Sequence, residues 1–332
     1  MMKINKFLIR KFGSPSVLSW ETVVIEPPTA SEIQVRLTAV GVNFIDIYLR
    51  KGLLPVSASF PLGIGVEGIG EVVAVGDKPS RFKVGDKVAC IGGEPSCYAE
   101  IINFSSERAI LLPEELDDEY VAAAMFKGLT AEYLINRCVS VQPNQTVLWH
   151  AAAGGVGQIA IQWLKSMGAV VVGTVSTKEK AQQALENGCN EVVITSEQNF
   201  EDVVKNVTAG KGVDVVYDSV GKDTFSRSLK CVKQRGTMVL FGNSSGSVDS
   251  FNPAVLGSQG SIYLTRPSIA HYTGDPRDLQ TGANAVFAAI REQRFKIKDI
   301  NRYALEDAAS AHQALENRLT MGSTILYPSN YT

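Results

Sequence analysis

The residues best suited to chemistry are a glycine cluster, Ala152-Ala153-Gly154-Gly155-Val156-Gly157. It follows an apolar run, Thr146-Val147-Leu148-Trp149-His150-Ala151, and opens a helical stretch reaching Met167. In that setting glycines let the backbone approach a pyrophosphate, and the helix start offers N–H groups and the positive end of its dipole. A ligand-free tight turn would use the same glycines, but the strand–turn–helix context favours a dinucleotide. Where such folds select NAD, an acid ~20 residues further on holds the ribose 2′-hydroxyl. Here Gly173-Thr174-Val175-Ser176-Thr177 contains no acid, and Lys178 and Lys180 follow. Small hydroxyls and lysines suit a 2′-phosphate, so NADP is the expected cofactor. The lysines alone would equally suit a solvated helix start.

These residues need elements to hold them. From Thr146 onward apolar runs alternate with helical stretches. The expected strands are 146–151, 169–175, 191–195, 213–218, 237–241 and 261–265. The expected helices include 178–187 and 200–207. Near-continuous apolar strands alternating with helices predict a parallel sheet covered on both faces, and six of them fit a doubly wound nucleotide fold. The first ~125 residues have a strand-and-turn texture that predicts a small barrel or sandwich. Glu32 to Val40 alternates as a half-buried strand. Pro113 with the acids to Glu119 reads as a solvated helix start continuing through Ala122-Ala123-Ala124. The tail predicts helices at 278–291 and 305–317 and an apolar run, Thr324 to Tyr327, returning to the first domain.

Composition bounds the function. The 332 residues suggest about two domains. Lys and Arg number 32 against 34 Asp and Glu, so nothing points to a nucleic-acid or membrane-surface partner. The most apolar stretch, Thr146 to Leu164, is interrupted by His150, Gln158 and Gln162, and the N-terminus lacks a signal-peptide core. Five widely spaced cysteines without a CxxC suggest reduced thiols in a cytoplasmic protein.

Gly41-Val42-Asn43-Phe44-Ile45-Asp46, Gly65-Val66-Glu67-Gly68-Ile69-Gly70 and Val84-Gly85-Asp86-Lys87-Val88 resemble the medium-chain dehydrogenase/reductase superfamily. In its zinc enzymes a Cys stands near Asn43 and a His at Val66. Neither residue here ligates zinc, and the Phe126-Lys127-Gly128-Leu129-Thr130 segment lacks a third ligand Cys. No zinc is expected, and His150, His271 and His312 read as surface or hydrogen-bonded histidines. The segments 150–157, Val216-Tyr217-Asp218-Ser219-Val220-Gly221, Phe241-Gly242-Asn243-Ser244-Ser245-Gly246 and Thr265-Arg266-Pro267-Ser268 narrow the resemblance to the zinc-independent NADPH:quinone oxidoreductases, the zeta-crystallin-like branch.

That resemblance implies an α/β architecture. A β-rich GroES-like catalytic domain would span residues 1–126 and 269–332, and a doubly wound six-stranded parallel Rossmann domain residues 127–268. It also implies a homodimer. By position, Asn43, Phe44, Ile45 and Asp46 would line the nicotinamide end, with Tyr48 close by. Thr130 and Tyr133 would face the cofactor, and Gly154, Gly155 and Val156 would meet its pyrophosphate. Ser176 and Lys180 would face the 2′-phosphate, with Arg318 as a second cation. Thr195, Ser219, Phe241, Gly242, Asn243, Ser244, Arg266, Pro267 and Ser268 complete the cofactor set. Thr195 stands where relatives often have a Tyr, so stacking on the adenine side is lost. Leu54 likewise replaces a Tyr at the substrate mouth.

The implied activity is hydride transfer from NADPH to a quinone, with Asn43, Asp46 and Tyr48 as the catalytic group. Asn43 or Tyr48 would stabilise the developing oxyanion, and Asp46 would orient them. The same cleft would serve reduction of an enone or alkenal. A non-enzymatic NADPH-binding or RNA-associated role is a third possibility, which the near-neutral charge disfavours.

Overall fold

The structure is a computed structural model and describes residues 2–55, 59–78 and 80–328. The chain forms two compact units. The first comprises Met1–Lys127, Asp275–Ala283 and Ile297–Thr332, and the second Gly128–Gly274 and Asn284–Lys296.

In the first unit, β1 (Met2–Ile9) pairs with β2 (Ser19–Ile25) and β4 (Leu62–Gly63) in a three-stranded sheet. The larger sheet is built on β3 (Glu32–Val42), which pairs antiparallel with β5 (Glu67–Val75) and β7 (Ile101–Ser105). β6 (Lys87–Ile91) and β8 (Ala109–Leu111) extend it beyond β5. α1 (Phe44–Arg50) follows β3 directly. Only Glu32 and Arg36 of β3 escape burial, so the expected half-buried strand is covered on both faces. α2 (Asp118–Glu132) starts later than Pro113: a turn closes from Leu116 N–H to the Pro113 carbonyl, and Asp118 and Glu119 supply the acids of the first helical turn. That placement still complements the dipole.

The second unit holds β9 (Thr146–Trp149), β10 (Val170–Val175), β11 (Glu191–Ile194), β12 (Val213–Asp218), β13 (Val232–Leu240) and β14 (Tyr263–Thr265). All are parallel, in the order β11-β10-β9-β12-β13-β14. This is the doubly wound order, whose switch point lies between the first and fourth strands, here β9 and β12. α3 (Gly155–Ser166), α4 (Lys178–Glu186), α5 (Phe200–Val207) and α6 (Phe225–Cys231) are the crossovers, and Leu148, Val172, Val193, Val216 and Met238 fill the core beneath α5 and α6. The short α7 (Ala254–Ser258) and α8 (Ile269–Thr273) flank β14.

The tail divides differently from the sequence expectation. α9 (Pro276–Arg291) begins in the first unit, but residues 284–296 cluster with the second. Phe295 packs on Trp163 at 5.9 Å between ring centroids, and Lys296 N–H donates to Gln162 Oε1 at 3.0 Å. Residues 269–274 also belong there, with Tyr272 stacked on Tyr133 at 4.5 Å. The chain then returns through β15 (Ile300–Ala304), α10 (Ala308–Glu316) and β16 (Ser323–Tyr327), and β16 pairs antiparallel with β3.

Candidate active site

Asn43 ends the β3 segment in extended conformation and caps α1. Its backbone N–H donates to Asp46 Oδ2 at 2.8 Å, and Asp46 Oδ1 accepts from Val66 N–H at 3.1 Å. Asp46 is fully buried, and burial pushes its pKa up to about 7 despite those donors. The Asn43 amide donates to Glu67 Oε2 at 2.9 Å and to the Gly41 carbonyl at 3.4 Å. Glu67 Oε1 accepts from Phe126 N–H at 2.8 Å, and Lys127 Nζ stands 3.9 Å from Oε2. Burial raises the Glu67 pKa and lowers that of Lys127, whose charge the carboxylate favours. Gly41 makes this corner possible, because a Cβ there would stand 1.9 Å from Glu67 Oε2.

The three segments that would hold zinc in the resembling enzymes therefore meet, but their donors do not suit the metal. An amide N–H and an ammonium face the carboxylate, and Val66 offers no ligand atom. Among the described residues no cluster of three or more His, Cys, Asp or Glu could hold a metal ion.

A second buried chain leads away from Asp46. Tyr98 hydroxyl lies 3.3 Å from Asp46 Oδ2 and 2.8 Å from His312 Nε2, and Arg50 Nη1 lies 3.2 Å from His312 Nδ1. Arg50 in turn pairs with Glu316 at 2.7 Å. His312 is thus hydrogen-bonded and buried. Phe44, Ile45 and Tyr48 are only partly buried, and the Phe44 and Tyr48 rings lie 6.0 Å apart.

In the second unit the glycine turn has the expected form. Gly154 precedes α3 in extended conformation, and no side chain caps the helix. Gly155 and Val156 form its first turn, partly exposed, while a Cβ at Gly157 would stand 2.5 Å from the Ala152 carbonyl. Close packing of helix on turn therefore demands that glycine. At the end of β10, Ser176 is exposed and Thr177 Oγ1 accepts from Lys180 N–H at 3.3 Å, capping α4. Thr195 joins this group through its N–H to the Val175 carbonyl at 2.9 Å.

After β12, Asp218 Oδ1 accepts from the N–H groups of Val220 and Gly221 at 2.8 and 3.0 Å, holding the loop that carries Ser219. Ser228 donates to Asp218 Oδ2 at 3.0 Å, and His150 Nε2 lies 2.8 Å from the same hydroxyl. His150 is therefore a buried hydrogen-bonding histidine. Phe241 packs on Trp149 at 5.6 Å. With the Asn243 amide turned to suit its neighbours, its oxygen accepts from Arg266 Nη2 at 3.2 Å and its nitrogen donates to the Gly242 carbonyl at 2.8 Å. Phe241, Gly242, Asn243 and Arg266 thus form one group, with Ser244 tied to the Ser219 carbonyl at 3.1 Å and Pro267 and Ser268 following β14. Thr130 is buried on α2, and Tyr133 opens the π-helical stretch Tyr133–Cys138. Arg318 lies exposed in the first unit with a positive φ.

Glu67, Lys127, Tyr98, Arg50 and His312 were not singled out as site residues by sequence. The available signal was a charge inside an apolar setting: Glu67 between glycines, and Lys127 in the run from Val121 to Leu129.

A GroES-like β unit and a doubly wound unit with a glycine turn define a pyridine-nucleotide-type dehydrogenase/reductase. Residues 29–137 match the alcohol dehydrogenase GroES-like domain, and residues 155–288 match the family described as zinc-binding dehydrogenase. A quinone oxidoreductase of Pseudomonas aeruginosa is 44% identical over 317 residues, 96% of this chain and 97% of that protein. A 2-haloacrylate reductase of Burkholderia sp is 38% identical over 326 residues, 97% of this chain and 98% of that one. The crystal structure of Escherichia coli quinone oxidoreductase complexed with NADPH superposes with a TM-score of 0.95 at 41% identity, covering 98% of this chain and all of that one. The chain belongs to the quinone oxidoreductase family of medium-chain dehydrogenases/reductases.

Proposed function

We propose that this protein reduces quinones with NADPH and without zinc. The observation that carries the reading is its full-length kinship with quinone oxidoreductases, one of them holding NADPH, in a chain whose β10 ends without an acid. Bound NADPH would supply a hydride from its nicotinamide ring. The N-terminus of α3 with Gly154, Gly155 and Val156 would bind the pyrophosphate, and Ser176, Lys180 and Arg318 the 2′-phosphate. Phe241, Asn243, Ser244, Arg266 and Ser268 suit the remaining polar and aromatic contacts. Asp46 acts by position: each of its oxygens already accepts a backbone N–H, so it holds the start of α1 and with it Tyr48. Asn43 donates to Glu67 and Gly41, which supports a positioning role for it as well.

The second reading, reduction of an activated alkene, has the 2-haloacrylate reductase relative in its favour. Steady-state kinetics with a quinone panel and an enone panel separates the two. Higher kcat/KM for quinones is expected, and a hundredfold preference for enones would replace the first reading by the second. Tyr48→Phe should lower turnover modestly and keep NADPH binding.

We further infer a cytoplasmic homodimer. No described helix is long and apolar enough to cross a membrane, and all five cysteines are free thiols. β14 is an edge strand with Tyr263 66% exposed, a surface suited to a second copy. Light scattering of the purified protein tests the stoichiometry.

A further inference from the structure

The corner of Asn43, Glu67 and Lys127 holds a buried ammonium that stands beside its carboxylate without hydrogen-bonding to it. Glu67 already accepts the Asn43 amide and the Phe126 N–H, one on each oxygen. Lys127 is 5% exposed and its ammonium is buried; the ammonium lies 3.9 Å from the nearer oxygen and has no hydrogen-bond partner among the described residues. A buried ammonium carries three protons that need acceptors, and leaving them unserved is costly. Strongly perturbed buried charges cluster at functional sites, where a ligand can bring the acceptor. The corner is also where the three segments corresponding to the zinc-ligand positions converge, and its resident positive charge is an ammonium.

We propose that Lys127 is the electrophile of this site, its ammonium hydrogen-bonding the substrate oxygen on which negative charge develops as hydride arrives. The inference rests on the reductase reading above. In the step, the substrate gains one hydride, two electrons and a proton together, and becomes a hydroquinone monoanion, while NADPH becomes NADP+. Solvent then supplies the proton that completes the hydroquinone, so Lys127 keeps its charge throughout. Glu67 is a positioning residue here: its carboxylate, 3.9 Å away, favours the charged form of the ammonium against the pull of burial. An enone would use the same donor on its enolate oxygen, so the substrate class is a carbonyl-bearing acceptor.

The test uses the full-length protein and compares Lys127→Met with Lys127→Met/Glu67→Gln. The double variant removes both charges and stays foldable even where the single variant leaves an unpaired carboxylate in the core. NADPH binding is followed by fluorescence titration, and hydride transfer by single-turnover kinetics with a benzoquinone and with NADPH deuterated at C4. If Lys127 meets the developing charge, both variants bind NADPH within about twofold of the parent and transfer hydride ~100-fold more slowly, the loss typical of removing one such donor. The deuterium isotope effect is then fully expressed. Recovery of the rate in the double variant would assign the lysine to core pairing alone and overturn the proposal. A parent protein that oxidises NADPH with neither quinone nor enone would instead overturn the reductase reading, and this inference with it.

Discussion

Tyr98 and His312, 214 residues apart in the chain, meet through a 2.8 Å hydrogen bond inside the first unit. The direction of the whole chain of bonds follows from Arg50, which can only donate. His312 Nδ1 accepts from it, so Nε2 carries the ring proton and donates to Tyr98, and the Tyr98 hydroxyl donates to Asp46. Tyr98→Phe leaves a buried donor and a carboxylate lone pair unserved. It should cost about 1.5–3 kcal/mol in urea unfolding, the range for bonds involving charge. A loss below ~0.5 kcal/mol would show that water replaces the hydroxyl.

Two groups of this chain, Asp46 and His312, make opposing contributions to the pH dependence of stability. Asp46 titrates near 7 because burial opposes its charge, against ~3.9 in an unfolded chain. Between those values the native state holds a proton that the unfolded state lacks, so this group's contribution falls as pH rises. His312 is depressed to about 3 by burial and then by the Arg50 charge, against ~6.5 unfolded. There the unfolded state holds the extra proton, so its contribution rises with pH. The two slopes oppose each other from about pH 4 to 6.5. Asp46→Asn should unmask a rise, and His312→Gln a fall, of up to ~1.4 kcal/mol per pH unit in that window. Urea midpoints across the range check the signs, and equal slopes in both variants would refute the assignment.

Gly41 should tolerate no side chain. An alanine Cβ there would stand 1.9 Å from Glu67 Oε2 and 2.9 Å from the Ala122 carbonyl. Gly41→Ala must displace the carboxylate that Asn43 holds, with an expected loss of about 3 kcal/mol or more. Gly257 on α7 is the control, since a Cβ there meets nothing within 4 Å. Gly257→Ala should be neutral or stabilising by up to ~1 kcal/mol. Thermal melting of the two variants compares them, and a neutral Gly41→Ala would contradict the packing.

Cofactor choice should turn on Lys180. Its N–H is fixed by Thr177 at the start of α4, beside the acid-free end of β10. Lys180→Ala and Arg318→Ala are each expected to weaken NADPH binding about tenfold or more, ~1.4 kcal/mol, and to leave NADH nearly unchanged. Fluorescence titration with both cofactors reads this directly. Equal affinity of the parent protein for NADH and NADPH would make the NADP assignment wrong.

The nucleotide half of the molecule was legible in the sequence because its signals are local. A parallel strand covered on both faces must be a near-continuous apolar run, and all six runs from Thr146 to Thr265 became strands. The glycine turn and the missing acid after β10 are likewise short-range facts of backbone and charge. The chain by itself therefore determined the doubly wound unit and its glycine turn. It could not disclose the polar corner of the first unit. Asn43 meets Glu67 across 24 residues, Tyr98 meets Asp46 across 52, and Arg50 meets His312 across 262. Lys127 reads in sequence as one charge in an apolar helix. Only when β3, β5 and α2 pack does it become an ammonium with a carboxylate at 3.9 Å and, among the described residues, no hydrogen-bond partner for its protons. Burial and pairing belong to elements distant in the chain, and those two quantities decide what a charged group in a core can do.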